Sequence, residues 1–137
     1  MSRFNPNCFE DVNHSKIVFE ENRSRVVFSN PQRVTVCKVA VDSCQITVGI
    51  RCDFLLVEPK KEHYIELKGE DIEHAVKQIS RSIQELSAGP TDIIKASYII
   101  SARSPLSSPE IQILKAKFKR NFNSELIIKN RILAVII

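Results

Sequence analysis

Two apolar runs of strand character, Phe54-Leu55-Leu56-Val57 and His63-Tyr64-Ile65-Glu66-Leu67, flank the turn Glu58-Pro59-Lys60-Lys61 and lead straight into an amphipathic helical pattern. Few folds accept that order. A short polar turn with a proline joins antiparallel neighbours, and the helix that follows must pack on the sheet they begin. Alternate residues of a strand share a face, so Glu66 and Lys68 project together while Ile65 and Leu67 point to the other side. Asp53 lies thirteen positions before Glu66, on the preceding strand. The hairpin therefore brings an acid, a second acid and a lysine to one end of a sheet.

This arrangement, Asp53 and then Glu66-Leu67-Lys68, with a following helix that bears Gln78, resembles the PD-(D/E)xK nuclease superfamily. That superfamily has the restriction-endonuclease-like fold and includes RecB-type nucleases and archaeal Holliday-junction resolvases. The resemblance covers residues 33 to 100 and, by architecture, the C-terminal part. It implies a Mg²⁺-dependent nuclease, with Mn²⁺ as a substitute cation. Carried over residue by residue, it makes Asp53, Glu66 and the main-chain carbonyl of Leu67 the metal ligands and Lys68 the catalytic cation. Gln78 becomes an accessory catalytic residue reaching in from the helix. The proline that usually precedes the first acid is Cys52 here. The family often supplies a further acid from its first helix; Glu10, Glu20 and Glu21 are the candidates, each equally readable as a solvated turn acid.

The chemistry is consistent with that carry-over. Mg²⁺ is a hard cation that takes oxygen ligands and keeps several waters, so two carboxylates suffice to hold it. The cation and a lysine can together stabilise charge that develops on a phosphate. A competing reading treats Glu66 and Lys68 as an exposed ion pair on a strand face, because E-x-K is a common triplet and Glu58-Pro59-Lys60 is another. Context separates the two: Glu66 sits in an apolar strand, Gly69 follows the lysine, and a helix begins within three residues.

A chain of 137 residues fits one domain, residues 1–137, and 43% hydrophobic residues provide a sizeable core. The net charge of +4 and a pI near 9.0 favour an anionic partner; nucleic acid is the expectation, DNA ahead of RNA. No apolar run approaches the ~20 residues that cross a bilayer, so no membrane is expected as partner. Cys8, Cys37, Cys44 and Cys52 show no C-x-x-C spacing, which argues against zinc and for free thiols in a reduced, cytoplasmic protein. Three glycines are too few for a Walker A loop or a dinucleotide fingerprint, and neither G-x-S-x-G nor H-E-x-x-H occurs.

Residues 1 to 15 carry no clear period, and residues 16 to 28 read as a hairpin or a short helix. Val34–Val41 reads as a strand, and Cys44–Val57 as a long one bent at Gly49 to aim Asp53. With the next strand these make an antiparallel trio. Asp71 caps a helix whose apolar positions Ile72, Ala75, Val76, Ile79, Ile83 and Leu86 follow the 3.6-residue period and stop at Ala88-Gly89-Pro90. His74 lies one turn before Gln78 and reads either as a neighbour of the site or as a solvated flank residue. A strand at residues 96–101 follows, then a loop with Arg103, a candidate phosphate contact. A second helix opens at Ser108-Pro109, and its Lys115, Lys117, Lys119 and Arg120 are either phosphate contacts or a solvated face. A final strand spans Glu125–Ile137, and its apolar tail is either buried or an edge that pairs with a second copy.

The expected class is thus α/β, a mixed central β-sheet flanked by helices, restriction-endonuclease-like. The expected function is metal-dependent hydrolysis of phosphodiester bonds; the alternative is a non-catalytic nucleic-acid-binding or protein-assembly module of the same fold. So small a chain leaves recognition to a homodimer or a larger protein partner.

Overall fold

The computed structural model describes residues 3–21, 23–67, 71–102 and 108–137. A 3₁₀ turn at Pro6–Cys8 leads into β1 (Phe9–Val12), β2 (Lys16–Glu21), β3 (Ser24–Ser29), β4 (Val36–Ala40), β5 (Phe54–Glu58) and β6 (Lys61–Leu67). Then come α1 (Ile72–Leu86), β7 (Ile94–Ser101), α2 (Pro109–Phe122), β8 (Ser124–Asn130) and β9 (Ile132–Ile136).

Six strands form one mixed sheet in the order β1-β4-β5-β6-β7-β8. Each of the first four runs antiparallel to its neighbour, and β6, β7 and β8 are parallel because a helix carries the chain back between each pair. Glu58 pairs with Lys61, which leaves Pro59-Lys60 as a tight connection at a place where proline's missing N–H costs no ladder bond. Central position explains why β6 is buried continuously from Glu62 to Leu67: both of its faces are covered.

On one face, Val39, Leu55, Tyr64, Ile99 and Leu126 pack against Ile79 and Ile83 of α1 and Phe118 of α2. On the other, Leu56, Ile65, Leu67, Tyr98 and Ile100 pack against Phe19, Val26 and Phe28 of a second sheet ordered β2-β3-β9. The mixed α/β expectation holds, with both helices on one face and a small sheet on the other. Residues 16–28 are the hairpin rather than the helix: Ile17 and Phe19 point inward while Lys16, Val18 and Glu20 point out, a period of two.

The caps fall where the sequence placed them. Asp71 accepts a hydrogen bond from His74 N, and the Ser108 hydroxyl accepts one from Ile111 N with Pro109 at the first helical position. A less legible device closes α2: Lys95, 1% exposed, donates from Nζ to the carbonyls of Gly89 (2.8 Å), Ile93 (2.6 Å) and Phe122 (3.0 Å).

Four expectations are corrected. Residues 1 to 15 are not irregular throughout, since β1 extends the large sheet beside β4. Residues 44–53 are a loop, not strand: Cys44 N and Ile46 N both bond to Val41 O, and Ser43 has φ 60. The final strand breaks at Arg131 (φ 65) into β8 and β9, which lie in different sheets, and β9 is an edge strand that leaves Ile132 and Ile136 51% and 81% exposed. The cysteines are not four free thiols: Cys8 and Cys44 form a disulfide that ties the N-terminal turn to this loop, while Cys37 and Cys52 remain free. Among the described residues no helix is long and apolar enough to cross a membrane.

The bridge closes a separation of 36 residues. Loop-closure entropy of the unfolded chain then makes Cys8→Ser destabilising by about 4 kcal/mol, measurable as a lower urea midpoint with a somewhat steeper slope, because the unfolded chain without the bridge is more expanded. Equal midpoints with and without reductant in the wild type would contradict this.

Candidate metal centre

Asp53 stands immediately before β5, and its backbone is held on both sides. Its N–H donates to Ile65 O, and its carbonyl accepts from Val41 N (3.0 Å) and Asp42 N (3.2 Å). Its side chain is aimed by a third bond, Leu67 N to Oδ2 at 2.7 Å. The residues leading up to it are tied to α1. Cys52 N donates to the Ser82 hydroxyl (2.8 Å), which itself donates to Gln78 O (2.9 Å). Arg81 Nη1 donates to Val48 O and Ile50 O, crossing so close to Gly49 that an added Cβ would lie 2.7 Å from it. Gly49 also has φ 86, a conformation side-chain-bearing residues rarely adopt. The bend expected at Gly49 is real, but it belongs to a loop held by helix side chains.

Glu66 follows Tyr64 by two on β6 and therefore faces the helix layer, 7% exposed. It stands close enough to Asp53 for the charge of that carboxylate to act on it directly. Burial, followed by the negative charge of Asp53, pushes the Glu66 carboxyl up to about 9. Burial likewise raises Asp53, to about 6, against the lowering pull of the Leu67 N–H. Among the described residues, Glu66 Oε1 is buried and finds no hydrogen-bond partner. Two apposed carboxylates supply no donor to each other, so a proton or a cation has to sit between them.

Other expected residues cluster unevenly around this pair. A cleft of about 270 Å³ beside it is lined by Asp42, Gly49, Ile50, Arg51, Asp53, His74 and Gln78. Gln78 is thus at the site, yet its Nε2 is engaged with Arg51 O at 3.1 Å, which makes it a brace for the loop. Of the three candidate N-terminal acids, Glu21 at the end of β2 is the one whose charge reaches both Asp53 and Glu66. It arrives on a hairpin, not on a helix. Asp42 and Arg51, joined at 2.8 Å, also border the cleft and were not anticipated, because the loop between them reads as strand. Lys68 and Arg103 lie outside the described residues.

Among the described residues no three of His, Cys, Asp and Glu converge closely enough to hold a metal by themselves. What the geometry offers is a two-carboxylate, all-oxygen site with one orphaned oxygen. That donor set fits a hard divalent cation that retains waters, and it does not fit zinc. No family model, curated protein or solved structure matches this chain. Function therefore has to be read from the Asp53–Glu66 pair and its surroundings.

Proposed function

We propose that the chain is a Mg²⁺-dependent nuclease, DNA ahead of RNA as substrate, with Mn²⁺ able to replace Mg²⁺. The observation that carries this is the Asp53–Glu66 pair, half-buried and buried respectively, with Glu66 Oε1 unpartnered among the described residues. Asp53 and Glu66 would hold the cation, with the Leu67 carbonyl as the third protein ligand the resemblance implies. When bound, the cation supplies Lewis-acid stabilisation of charge on the scissile phosphate. The Leu67 N–H fixes Asp53 through Oδ2, and Asp53 lines the cleft. Gln78 and Arg81 hold the 48–51 loop in place, and so keep Asp53 in register with Glu66. Lys68, two positions beyond Glu66, takes the role of the cation that steadies the reacting phosphate.

The same burial favours a second reading. With a proton in place of a metal, the pair is a neutral, hydrogen-bonded strut, and the chain is a non-catalytic nucleic-acid-binding or assembly module. Cleavage of a panel of single-stranded, duplex and branched DNA and RNA, with Mg²⁺ or Mn²⁺, separates the two. Metal-dependent cutting should fall by about 10³-fold in Asp53→Ala and in Lys68→Ala. A folded wild type that binds the panel and never cuts would leave the strut reading standing. Recognition is proposed to come from a second copy or a larger partner, and a monodisperse monomer that selects and cuts a defined substrate unaided would refute that.

A further inference from the structure

The end of the large sheet that carries the acid pair also carries a cationic rim. Because β6, β7 and β8 are parallel, their C-terminal ends lie together, with Leu67 beside Ile100 and Ile100 beside Lys129. Two strand spacings of about 4.8 Å put the end of β8 roughly 10 Å along the sheet edge from the acids. There the chain turns at Arg131 and crosses into the small sheet, where Ile132 pairs with Arg25.

Arg131 is fastened at both backbone groups. Its N–H donates to Ser101 O (2.8 Å) in the large sheet, and its carbonyl accepts from Arg25 N (2.7 Å) in the small one. At φ 65 it adopts the left-handed region that arginine seldom occupies. The result is an exposed guanidinium on a rigid mount where the two sheets meet. Lys129 beside it is exposed as well. Arg25 is half-exposed, and among the described residues its guanidinium makes only a long contact to Glu20, 3.8 Å, with Nε unpartnered. Among the described residues neither Lys129 nor Arg131 has a carboxylate partner.

The basic residues of α2 are placed differently. That helix leaves the C-terminal end of β7 and returns to the start of β8, so its last-turn Lys119 and Arg120 lie at the opposite end of the sheet from the acids. There they answer the helix C-terminal dipole, which accounts for them without a ligand.

We infer that Arg25, Lys129 and Arg131 form the track that receives the phosphate backbone of a nucleic-acid strand and leads it to the Asp53–Glu66 end of the sheet. The direction of that track rests on the nuclease reading; the binding does not. Phosphate contacts from arginine and lysine position a strand without reading its sequence, and each displaces condensed counterions.

The test is fluorescence anisotropy of single-stranded and duplex DNA oligonucleotides in EDTA across a salt series. Arg131→Gly removes the charge while keeping a residue suited to φ 65, and Arg25→Gln and Lys129→Gln complete the set. Each variant is expected to weaken binding several-fold and to lower the slope of log K against log salt by about 0.7–0.9. Lys117→Gln and Lys119→Gln on α2 are expected to change neither. Unaltered binding in the rim variants, an equal loss in the α2 variants, or a wild type that binds none of the oligonucleotides overturns the inference. Binding that depends on the rim in a protein that never cuts sinks the nuclease reading alone, whereas cutting with unchanged KM in the rim variants sinks the track alone.

Discussion

Glu66→Gln is expected to make the protein more heat-stable and at the same time unable to bind a divalent cation or cut nucleic acid. Burial and the Asp53 charge push the Glu66 carboxyl up to about 9, and burial pushes Asp53 up to about 6, both above their ordinary values. The folded state therefore keeps a proton that the unfolded chain has already lost. Stability linked to that proton is fully present below about pH 4 and is lost as pH rises toward about 9. An amide at position 66 keeps a donor for Asp53 and does not titrate, so the decline should flatten. At pH 8 the variant's Tm should exceed that of the metal-free wild type by roughly 5 °C. Added Mg²⁺ should reverse the order, because the cation takes the proton's place in the wild type alone. Its affinity should rise with pH between about 6 and 9, with release of a proton on binding. Cleavage should fall by about 10³-fold. Thermal melts of both proteins from pH 5 to 9, with and without Mg²⁺, decide the matter. A variant that melts below the metal-free wild type at pH 8 would mean the pair is not a strained acid couple.

What the sequence made legible follows from how locally each feature is specified. Helix α1 needs only its own residues: the Asp71 cap, the 3.6-residue period and the stop at Gly89-Pro90 agree. The β5–β6 register follows from Pro59 and the alternation on either side, and with it the meeting of Asp53 and Glu66. The N-terminal hairpin stayed undecided because its apolar runs, 17–19 and 26–28, are too short to show a period. Its third strand, β9, comes about a hundred residues later in the chain. The loop at 44–53 misled because Ile46, Val48 and Ile50 look like strand residues. Its shape is imposed from outside, by the Cys8 disulfide and the Arg81 and Ser82 hydrogen bonds. Asp42 and Arg51 were hidden for the same reason, and Glu21 could be told from Glu20 only once the hairpin showed which acid ends the strand beside the site.

Lys95→Met should cost on the order of 4 kcal/mol, a large fraction of a typical domain's stability, although the residue touches neither acid nor cleft. Its ammonium is buried, and burial lowers its pKa, yet all three of its protons are given to main-chain carbonyls. Two of these belong to the loop that ends α1's return path, Gly89 and Ile93, and the third, Phe122, is the last residue of α2. Methionine fills the same volume and offers no donor. It would leave three half-buried carbonyls short of a partner, each worth about 1–3 kcal/mol, offset in part by sparing the desolvation of a charge. Because the lysine joins the connections before β7 and before β8, its loss should release both helices at the end of the sheet opposite the acids. Hydrogen exchange should then accelerate first at the last turn of α2 and in residues 89–93, while amides around Asp53 and Leu67 stay protected relative to them. Urea unfolding gives the free energy. A midpoint shift equivalent to less than about 1 kcal/mol would show that the three carbonyls find other donors, and that the buried ammonium is a passenger in the fold.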